Sequence, residues 1–427
     1  MMNTKKKQLT DRAVIAKSVH DFYNRHPYPP PIKNLDNYQK RWQDPSRRHA
    51  DFHLFWPTKS YRENLDILVA GCGTSQAAKY ALRHPGAQVF GIDSSETSIR
   101  HTRDLKQRYG IQNLKLEVLP LEQVEELGLR FDEIICTGVL HHLPNPEIGL
   151  TALQRVLKPS GAMHLMVYAP YGRTGIYMLQ DFCRQLGIRP DTSEIQDLAE
   201  TLRFLPDDHP LQHRLRDSPD FQSEAGLADA LLHPQDRAYS VPQLFDFIRH
   251  CGLTFGRWLR QAPYLPQCSP IANSPFGSRI KTLSLDQQYT VMELFRGTMV
   301  RHSLIVYRDN GSGYMSPVRF DGAGWQDFIP IRLPSTIVIQ ERLPKGSAAV
   351  LINQAHTFTD LYLPIDQSEK DWYDAINGEN NITNILRKTQ PGLGTEMLAR
   401  VKGFFERLWY YDQVVFDTSK VNGFDRI

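Results

Sequence analysis

The stretch Asp66-Ile67-Leu68-Val69-Ala70-Gly71-Cys72-Gly73-Thr74-Ser75 decides the fold class of this chain. Four apolar residues that run straight into Gly-Cys-Gly are typical of a buried parallel strand that ends in a glycine loop. In a doubly wound α/β sheet, ligands bind beyond the carboxyl ends of the strands, where glycines let a ligand approach the backbone. The stretch therefore predicts such a sheet, with a ligand site at residues 71–75.

The kind of ligand depends on the residues after the two glycines. A dinucleotide-binding loop has the pattern G-x-G-x-x-G/A. Gln76 stands at the third small position and Ala77 lies one residue further, so a dinucleotide is disfavoured but stays an alternative. The next predicted strand, Gln88 to Asp93, ends in an acid. Its carboxylate is suited to accept both hydroxyls of a nucleoside ribose, and a helix N-cap is the alternative role for Asp93.

Two later strands complete the pattern. Phe131 to Thr137 leads into Gly138 and the His-His pair, and a helix from Pro146 precedes the strand Gly161 to Tyr168. With the glycine loop, Asp93, "FDEIICTGVLHHLPNP" and "LKPSGAMHLMV" in this order and spacing, the chain resembles the class I S-adenosylmethionine-dependent methyltransferases from about residue 66 to 168. The resemblance implies a Rossmann-like α/β sheet of seven strands, S-adenosyl-L-methionine as cofactor, and methyl transfer to an acceptor.

The resemblance also implies the positions that contact the cofactor. They are Ala70, Gly71, Cys72, Gly73, Thr74, Asp93, Ser94, Thr137 and Gly138. The chain departs from the family pattern after the third strand, where many members carry an acid that meets the adenine. Leu119 and Pro120 stand there, so no adenine partner is assigned.

His141, His142 and Tyr168 are the candidate catalytic residues because they follow the fourth and fifth strands. Histidine titrates near neutral pH and suits acid–base work, although capping and packing of the loop is the alternative role for the pair. Adjacent histidines cannot point the same way, so no metal is expected between them. Tyr171 and Arg173 are candidates for contact with the acceptor, and Tyr23, Tyr28 and Trp56 for a cap over the pocket.

The composition excludes several classes of protein. The chain has 427 residues, of which 41% are hydrophobic and 23% charged, with a net charge of +3, as in an ordinary globular protein of two domains. The charge does not indicate nucleic acid as a partner, and no apolar run reaches the roughly 20 residues of a membrane span. Five scattered cysteines without a CxxC pair indicate neither disulfides nor a cysteine zinc site, so a cytoplasmic location is expected. The oligomeric state stays unknown.

An N-terminal segment and two domains are predicted. Residues 1–60 form an N-terminal helix and a Pro- and aromatic-rich cap segment, and residues 61–310 form the methyltransferase domain, with helical insertions near 171–238 and 260–297. Residues 317–427 form a smaller α+β domain in which "WYDAINGENNITNIL" is similar to peptide-binding winged helices of some peptide-modifying enzymes. A purely structural or dimerisation role is the alternative for this domain.

The acceptor is therefore expected to be a protein or peptide side chain or a mid-sized metabolite. Two other functions stay open from the sequence: an NAD(P)-dependent oxidoreductase on the same fold, and a non-catalytic protein that binds S-adenosylmethionine.

Overall fold

The computed structural model describes residues 2–311, 318–322, 324–390 and 395–421, so Pro317, the first residue of the predicted C-terminal domain, lies outside the described residues. The chain divides into two compact units. The first unit comprises Met1–Lys40, Glu63–Phe255 and Arg296–Gly311. The second comprises Arg41–Arg62, Gly256–Phe295 and Ser312–Ile427.

One sheet of seven strands organises the first unit. Its strands are β1 (Asp66–Ala70), β2 (Gln88–Asp93), β3 (Leu114–Val118), β4 (Phe131–Thr137), β5 (Leu157–Tyr168), β6 (Leu253–Trp258) and β7 (Arg301–Arg308). They lie in the order β3-β2-β1-β4-β5-β7-β6, with β1 to β5 parallel and β7 antiparallel to β5. The chain order reverses at β1, between β2 and β4, and such a switch point is where open α/β sheets bind ligands. The predicted Rossmann-like sheet is confirmed.

The helices of the described residues are α1 (Met2–Arg25), α2 (Asp36–Trp42), α3 (Pro45–Phe55), α4 (Gln76–Arg83), α5 (Glu96–Arg108), α6 (Pro146–Val156), α7 (Thr174–Leu186), α8 (Thr192–Thr201), α9 (Gln212–Asp217), α10 (Glu224–Leu231), α11 (Val241–His250), α12 (Gly277–Lys281), α13 (Leu285–Arg296), α14 (Gln367–Asp374), α15 (Ile382–Thr389) and α16 (Thr395–Tyr410). Among these, no helix is both long and apolar enough to cross a lipid bilayer.

The insertion predicted near residues 171–238 folds as helices α7 to α10 around an apolar core of its own. Phe22 of α1, Leu179 of α7, Leu198 of α8 and Leu227 of α10 are all buried in this core. Because α1 contributes Phe22, the N-terminal helix and the insertion form one helical layer of the first unit. The layer brings the end of α1 toward the carboxyl ends of the sheet strands.

The second unit contains two small antiparallel sheets. Strands β8 (Ile329–Arg332) and β12 (Val414–Asp417) form one, and β9 (Thr336–Ile339), β10 (Ala349–Asn353) and β11 (Leu363–Ile365) form the other. Trp372 of α14 and Phe404 of α16 lie in its core. Small sheets with three helices are compatible with the predicted α+β class.

The compact units differ from the predicted domain boundaries at two places. Residues 41–60, predicted as part of the cap segment, pack with the C-terminal residues. So do residues 61–62 and 256–295, predicted as part of the methyltransferase domain. The reason is non-local contact: the backbone N–H of Thr418 donates to the carbonyl of Pro57 at 2.7 Å. Trp56, a predicted cap residue, packs in the second unit against Phe52 of α3.

Candidate active site

The glycine loop between β1 and α4 has the backbone geometry that the sequence predicts. Gly71 and Gly73 adopt φ values of +66° and +54°, which residues with a Cβ rarely adopt. A Cβ on Gly71 would lie 2.2 Å from Cγ2 of Val139, so only glycine fits there. The loop therefore presents bare peptide groups at the end of β1, as a closely approaching cofactor requires.

Asp93 lies at the end of β2 and holds the loop. Its Oδ2 accepts the backbone N–H of Gly73 and its Oδ1 accepts that of Ser95, each at 2.8 Å. Each carboxylate oxygen keeps a second lone pair, enough for the two hydroxyls of a ribose. Burial raises the pKa of Asp93, although the two backbone hydrogen bonds oppose this. The N-cap alternative for Asp93 is wrong, because Ser95 caps α5 by accepting the N–H of Ser98.

The N-terminal segment closes over this loop. Thr74 Oγ1 donates to the carbonyl of Pro29 at 2.7 Å, and Ser95 Oγ donates to Asn24 Oδ1 at 2.8 Å. A Cβ on Gly73 would stand 3.3 Å from Tyr28 O. Residues 24–29 thus lie where the predicted cap belongs.

The remaining predicted cofactor positions surround the loop. Ala70 is the buried end of β1, and Cys72 is buried with a pKa raised well above its usual value by that burial, which rules against a thiolate. Thr137 Oγ1 accepts from Gln76 Nε2 at 2.8 Å, so Gln76 ties the start of α4 to the end of β4. Gly138 follows with a φ of +79°, and Ser94 lies between Asp93 and the cap of α5.

His141 follows the end of β4 and is fully buried. Neither of its ring nitrogens has a hydrogen-bond partner among the described residues. Its ring packs against that of Tyr168 at a tilt of 34°, with the centroids 3.8 Å apart. Burial holds the pKa of His141 well below its usual value. This environment keeps the His141 imidazole neutral.

His142 has a defined proton position. Its Nδ1 lies 2.7 Å from the carbonyl oxygen of Gln235, and since a carbonyl only accepts, Nδ1 carries the proton and donates. The Nε2 atom of the neutral ring then has a lone pair. His142 can therefore accept a proton at Nε2 without losing its anchor.

Three further side chains lie beside His142: those of Tyr23, Asp229 and His233. We call these four residues the buried polar cluster. The hydroxyl of Tyr23 donates to Asp229 Oδ1 at 3.0 Å, and the ring centroids of His142 and His233 are 3.9 Å apart. Ring nitrogens of His142 and His233 and an oxygen of Asp229 lie within 4.8 Å of one another. Burial raises the pKa of Asp229 and of Tyr23 and lowers that of His233.

The segment that carries His233 and Gln235 is fixed by an ion pair. Arg173 donates to Asp236 Oδ2 at 2.9 Å with both side chains nearly inaccessible, and Gln180 Nε2 donates to the same oxygen. The Arg173 guanidinium also lies 3.5 Å above the ring of Tyr168. The segment returns beside β5, where the N–H of Tyr239 donates to the carbonyl of Tyr168 at 2.9 Å.

The structure thus brings His141, His142, Tyr168, Arg173 and Tyr23 together. It adds Asp229, His233 and Asp236, which sequence reasoning missed because they lie in the insertion without any strand or motif pattern. The run His233-Pro234-Gln235-Asp236 just ahead of the capped helix α11 is the signal that was available.

The fold places a glycine loop and a buried carboxylate at the ends of β1 and β2, and it places histidine and tyrosine side chains at the ends of β4 and β5. A family model for a methyltransferase domain matches residues 68–163. An uncharacterised protein of Synechococcus sp. is 30% identical over 293 residues, which cover 66% of this chain and 69% of that relative. The chain belongs to the class I S-adenosylmethionine-dependent methyltransferases.

A further relative matches over a shorter stretch, and a solved structure shares the fold. The ubiquinone biosynthesis O-methyltransferase of Acinetobacter baumannii is 31% identical over 96 residues, 22% of this chain and 40% of that enzyme. The structure of PKMT2 from Rickettsia typhi has a similar fold, with a TM-score of 0.63 and 16% identity over 91% of this chain and 76% of that chain. Family membership decides against the oxidoreductase alternative: this chain is an enzyme that uses S-adenosyl-L-methionine to methylate an acceptor.

Proposed function

We propose that the enzyme methylates a hydroxyl or amine of a protein or peptide side chain, or of a mid-sized metabolite, and that His142 removes the proton from this acceptor. The hydrogen bond from His142 Nδ1 to the Gln235 carbonyl carries the proposal, since it leaves the lone pair on Nε2. An acceptor that bears a proton needs a base, and a positioned histidine supplies one.

The residues of the glycine loop fit the cofactor. The peptide groups of Ala70 to Thr74 and the carboxylate of Asp93 would hold its amino acid and ribose parts, with Ser94, Thr137 and Gly138 lining the same edge. When bound, the cofactor supplies an electrophilic methyl group on a sulfonium sulfur. The chain contributes by aligning the acceptor with that methyl group and by excluding water.

The side chains around His142 have distinct roles in this proposal. His142 takes the acceptor proton at Nε2, and His141 and Tyr168 form an uncharged wall behind it. The carboxyl of Asp229 is placed to favour the imidazolium that forms, because it lies within reach of His142 and sets a negative charge beside the positive one.

The second unit is the reason for proposing this class of acceptor. Its small sheets and helices build a core without any part of the cofactor loop, as a module for acceptor recognition would. We place the reaction in the cytoplasm, where protein and peptide acceptors are abundant.

Labelling of a cell lysate tests the proposal. The enzyme is incubated with lysate and a radiolabelled methyl donor, and acid-precipitable and acid-soluble label are counted and identified by mass spectrometry. Label on oxygen or nitrogen that requires intact His142 supports the proposal. Label on carbon or sulfur alone contradicts it, and binding of S-adenosylhomocysteine without any label would favour the non-catalytic alternative.

A further inference from the structure

A second group of histidines lies within the second unit. His49 and His53 are one helical turn apart on α3 and so share a face of that helix. Their Nε2 atoms are 3.1 Å apart, and Oδ2 of Asp417, in β12, lies 3.8 Å from Nε2 of His53. His53 is fully buried, and Asp417 is 9% exposed. The methyltransferase reaction uses none of these three side chains.

The hydrogen bonds of His53 and Asp417 leave one atom of each side chain available to bind a metal ion. His53 Nδ1 donates to the carbonyl of Trp56 at 3.3 Å, so Nε2 carries the lone pair. Metal-bound histidines usually make such a bond from their other nitrogen to a carbonyl or carboxylate. Oδ1 of Asp417 accepts the N–H of Ser419 at 2.8 Å, which leaves Oδ2 turned to His53.

We propose that His49, His53 and Asp417 bind one Zn²⁺ ion that joins α3 to β12. Zinc bonds of about 2.0–2.1 Å in a tetrahedron place neighbouring ligand atoms about 3.4 Å apart. Two of the separations, 3.1 and 3.8 Å, lie on either side of this value, and all three ligand atoms lie within 4.8 Å of one another. Two imidazoles and one carboxylate form a site with a single excess charge and leave one position for water. Binding requires only that the His49 proton move from Nε2 to Nδ1.

The buried polar cluster of the first unit does not offer the same site, although its composition is similar. His233 Nδ1 accepts the N–H of Gln235 at 3.0 Å, and this bond places the proton on Nε2. A metal ion at Nδ1 would take the lone pair that accepts this hydrogen bond. A metal ion at Nε2 would move the proton to Nδ1, and the hydrogen bond would again be lost. We therefore expect the group in the second unit to bind a metal ion and the buried polar cluster not to bind one. Variants of one group serve as controls for the other.

No sequence motif indicates this site, because its ligands come from opposite ends of the chain. A zinc ion there would connect two segments of the second unit that are already paired through Thr418 and Pro57. Since the ion binds the folded unit, it adds stability in proportion to the logarithm of its concentration.

Zinc titration of the chelator-treated full-length enzyme tests the proposal. Calorimetry with ZnCl₂ should give one ion per chain, Co²⁺ should give a visible tetrahedral absorption spectrum, and Zn²⁺ should raise the melting temperature. His49→Ala and Asp417→Asn should each weaken zinc binding at least about 100-fold, beyond the effect of lost supporting groups. His142→Asn should bind zinc as the wild type does.

A cooperative thermal unfolding transition of each zinc-free variant, compared with that of the zinc-free wild type, shows that the variant is folded. The proposal is overturned if the wild type binds no stoichiometric zinc, or if zinc binding survives in both variants of the second unit. Loss of zinc binding in His142→Asn with retention in His49→Ala would overturn it as well, and would assign the metal to the first unit.

Discussion

His142 and Gln235 are joined by a hydrogen bond of 2.7 Å between the ring Nδ1 and a main-chain carbonyl oxygen. The two residues come from different parts of the first unit: His142 follows β4, and Gln235 follows α10 at the end of the helical insertion. The bond fixes both the orientation of the ring and the position of its proton. It therefore connects the insertion to the histidine that we propose as the base.

Replacing His142 by Asn should separate the hydrogen bond to Gln235 from the basic nitrogen at Nε2. An Asn side-chain amide can keep the donor that faces the Gln235 carbonyl but has no basic nitrogen. The initial rate of label transfer should fall about 10²- to 10⁴-fold, the usual contribution of a positioned base. The dissociation constant of S-adenosylhomocysteine, measured by calorimetry, should stay within about threefold of wild type. His250→Asn, at an exposed position of α11, is the control, and an unchanged rate in His142→Asn would contradict the assignment.

Asp93→Asn should weaken binding of S-adenosylhomocysteine about 10- to 100-fold, because hydrogen bonds to a charged group contribute about 1.5–3 kcal/mol. The raised pKa of Asp93 adds a pH dependence. As pH falls, this carboxylate is protonated earlier than an ordinary one, so wild-type affinity should fall on acidification from pH 7.5 to 5. Calorimetry at both values should show a flatter dependence for Asp93→Asn. The exposed Asp246→Asn should behave as wild type, and equal slopes in Asp93→Asn and wild type would contradict the prediction.

His141→Phe tests the effect of the buried neutral ring on stability. The pKa of His141 is depressed in the folded state, so below its unfolded value of about 6.5 the unfolded chain binds more protons. The free energy of unfolding should therefore decrease as pH falls below about 6.5, by up to about 1.4 kcal/mol per pH unit. Urea unfolding at pH 7.5 and 5.5 should show a smaller loss for His141→Phe than for wild type. A loss of equal size would mean that His141 is already protonated in the folded enzyme.

The sheet and the geometry of the glycine loop could be predicted from the sequence because local patterns encode them. Apolar runs, the Gly-Cys-Gly loop and the acid that ends β2 each specify a strand end without reference to distant residues. The capping box of α11 is similarly local, and the backbone N–H of Ser240 does donate to Gln243 Oε1.

The acid–base site could be predicted only in part. His142 stands in a recognisable motif, whereas Asp229 and His233 reach it through packing of the insertion on α1, which no local pattern encodes. Gln76, which departs from the dinucleotide pattern of the glycine loop, bonds Thr137 on the neighbouring strand. Strand β8 and the packing of α3 in the second unit were missed for the same reason: their partners lie far away in the sequence.

Arg173 is predicted to act as a positioning residue, because its buried pair with Asp236 holds the segment that contains Gln235. Arg173→Met should lower the free energy of unfolding by about 3–5 kcal/mol, since it leaves the Asp236 carboxylate buried without its cation. It should also lower kcat more than it raises KM, as expected when the base is misplaced but the cofactor edge is intact. Urea unfolding and label transfer measure the two effects.

The double variant Arg173→Met/Asp236→Leu distinguishes positioning from general stability. Replacing a buried ion pair by apolar side chains is often neutral or stabilising, so unfolding should return toward wild type. The transfer rate should stay low, because neither apolar side chain hydrogen bonds to fix the segment that anchors His142. Arg189→Met, which removes an exposed ion pair with Glu194 on the same insertion, should change neither quantity. Recovery of the rate together with stability in the double variant would show that Arg173 serves the fold alone.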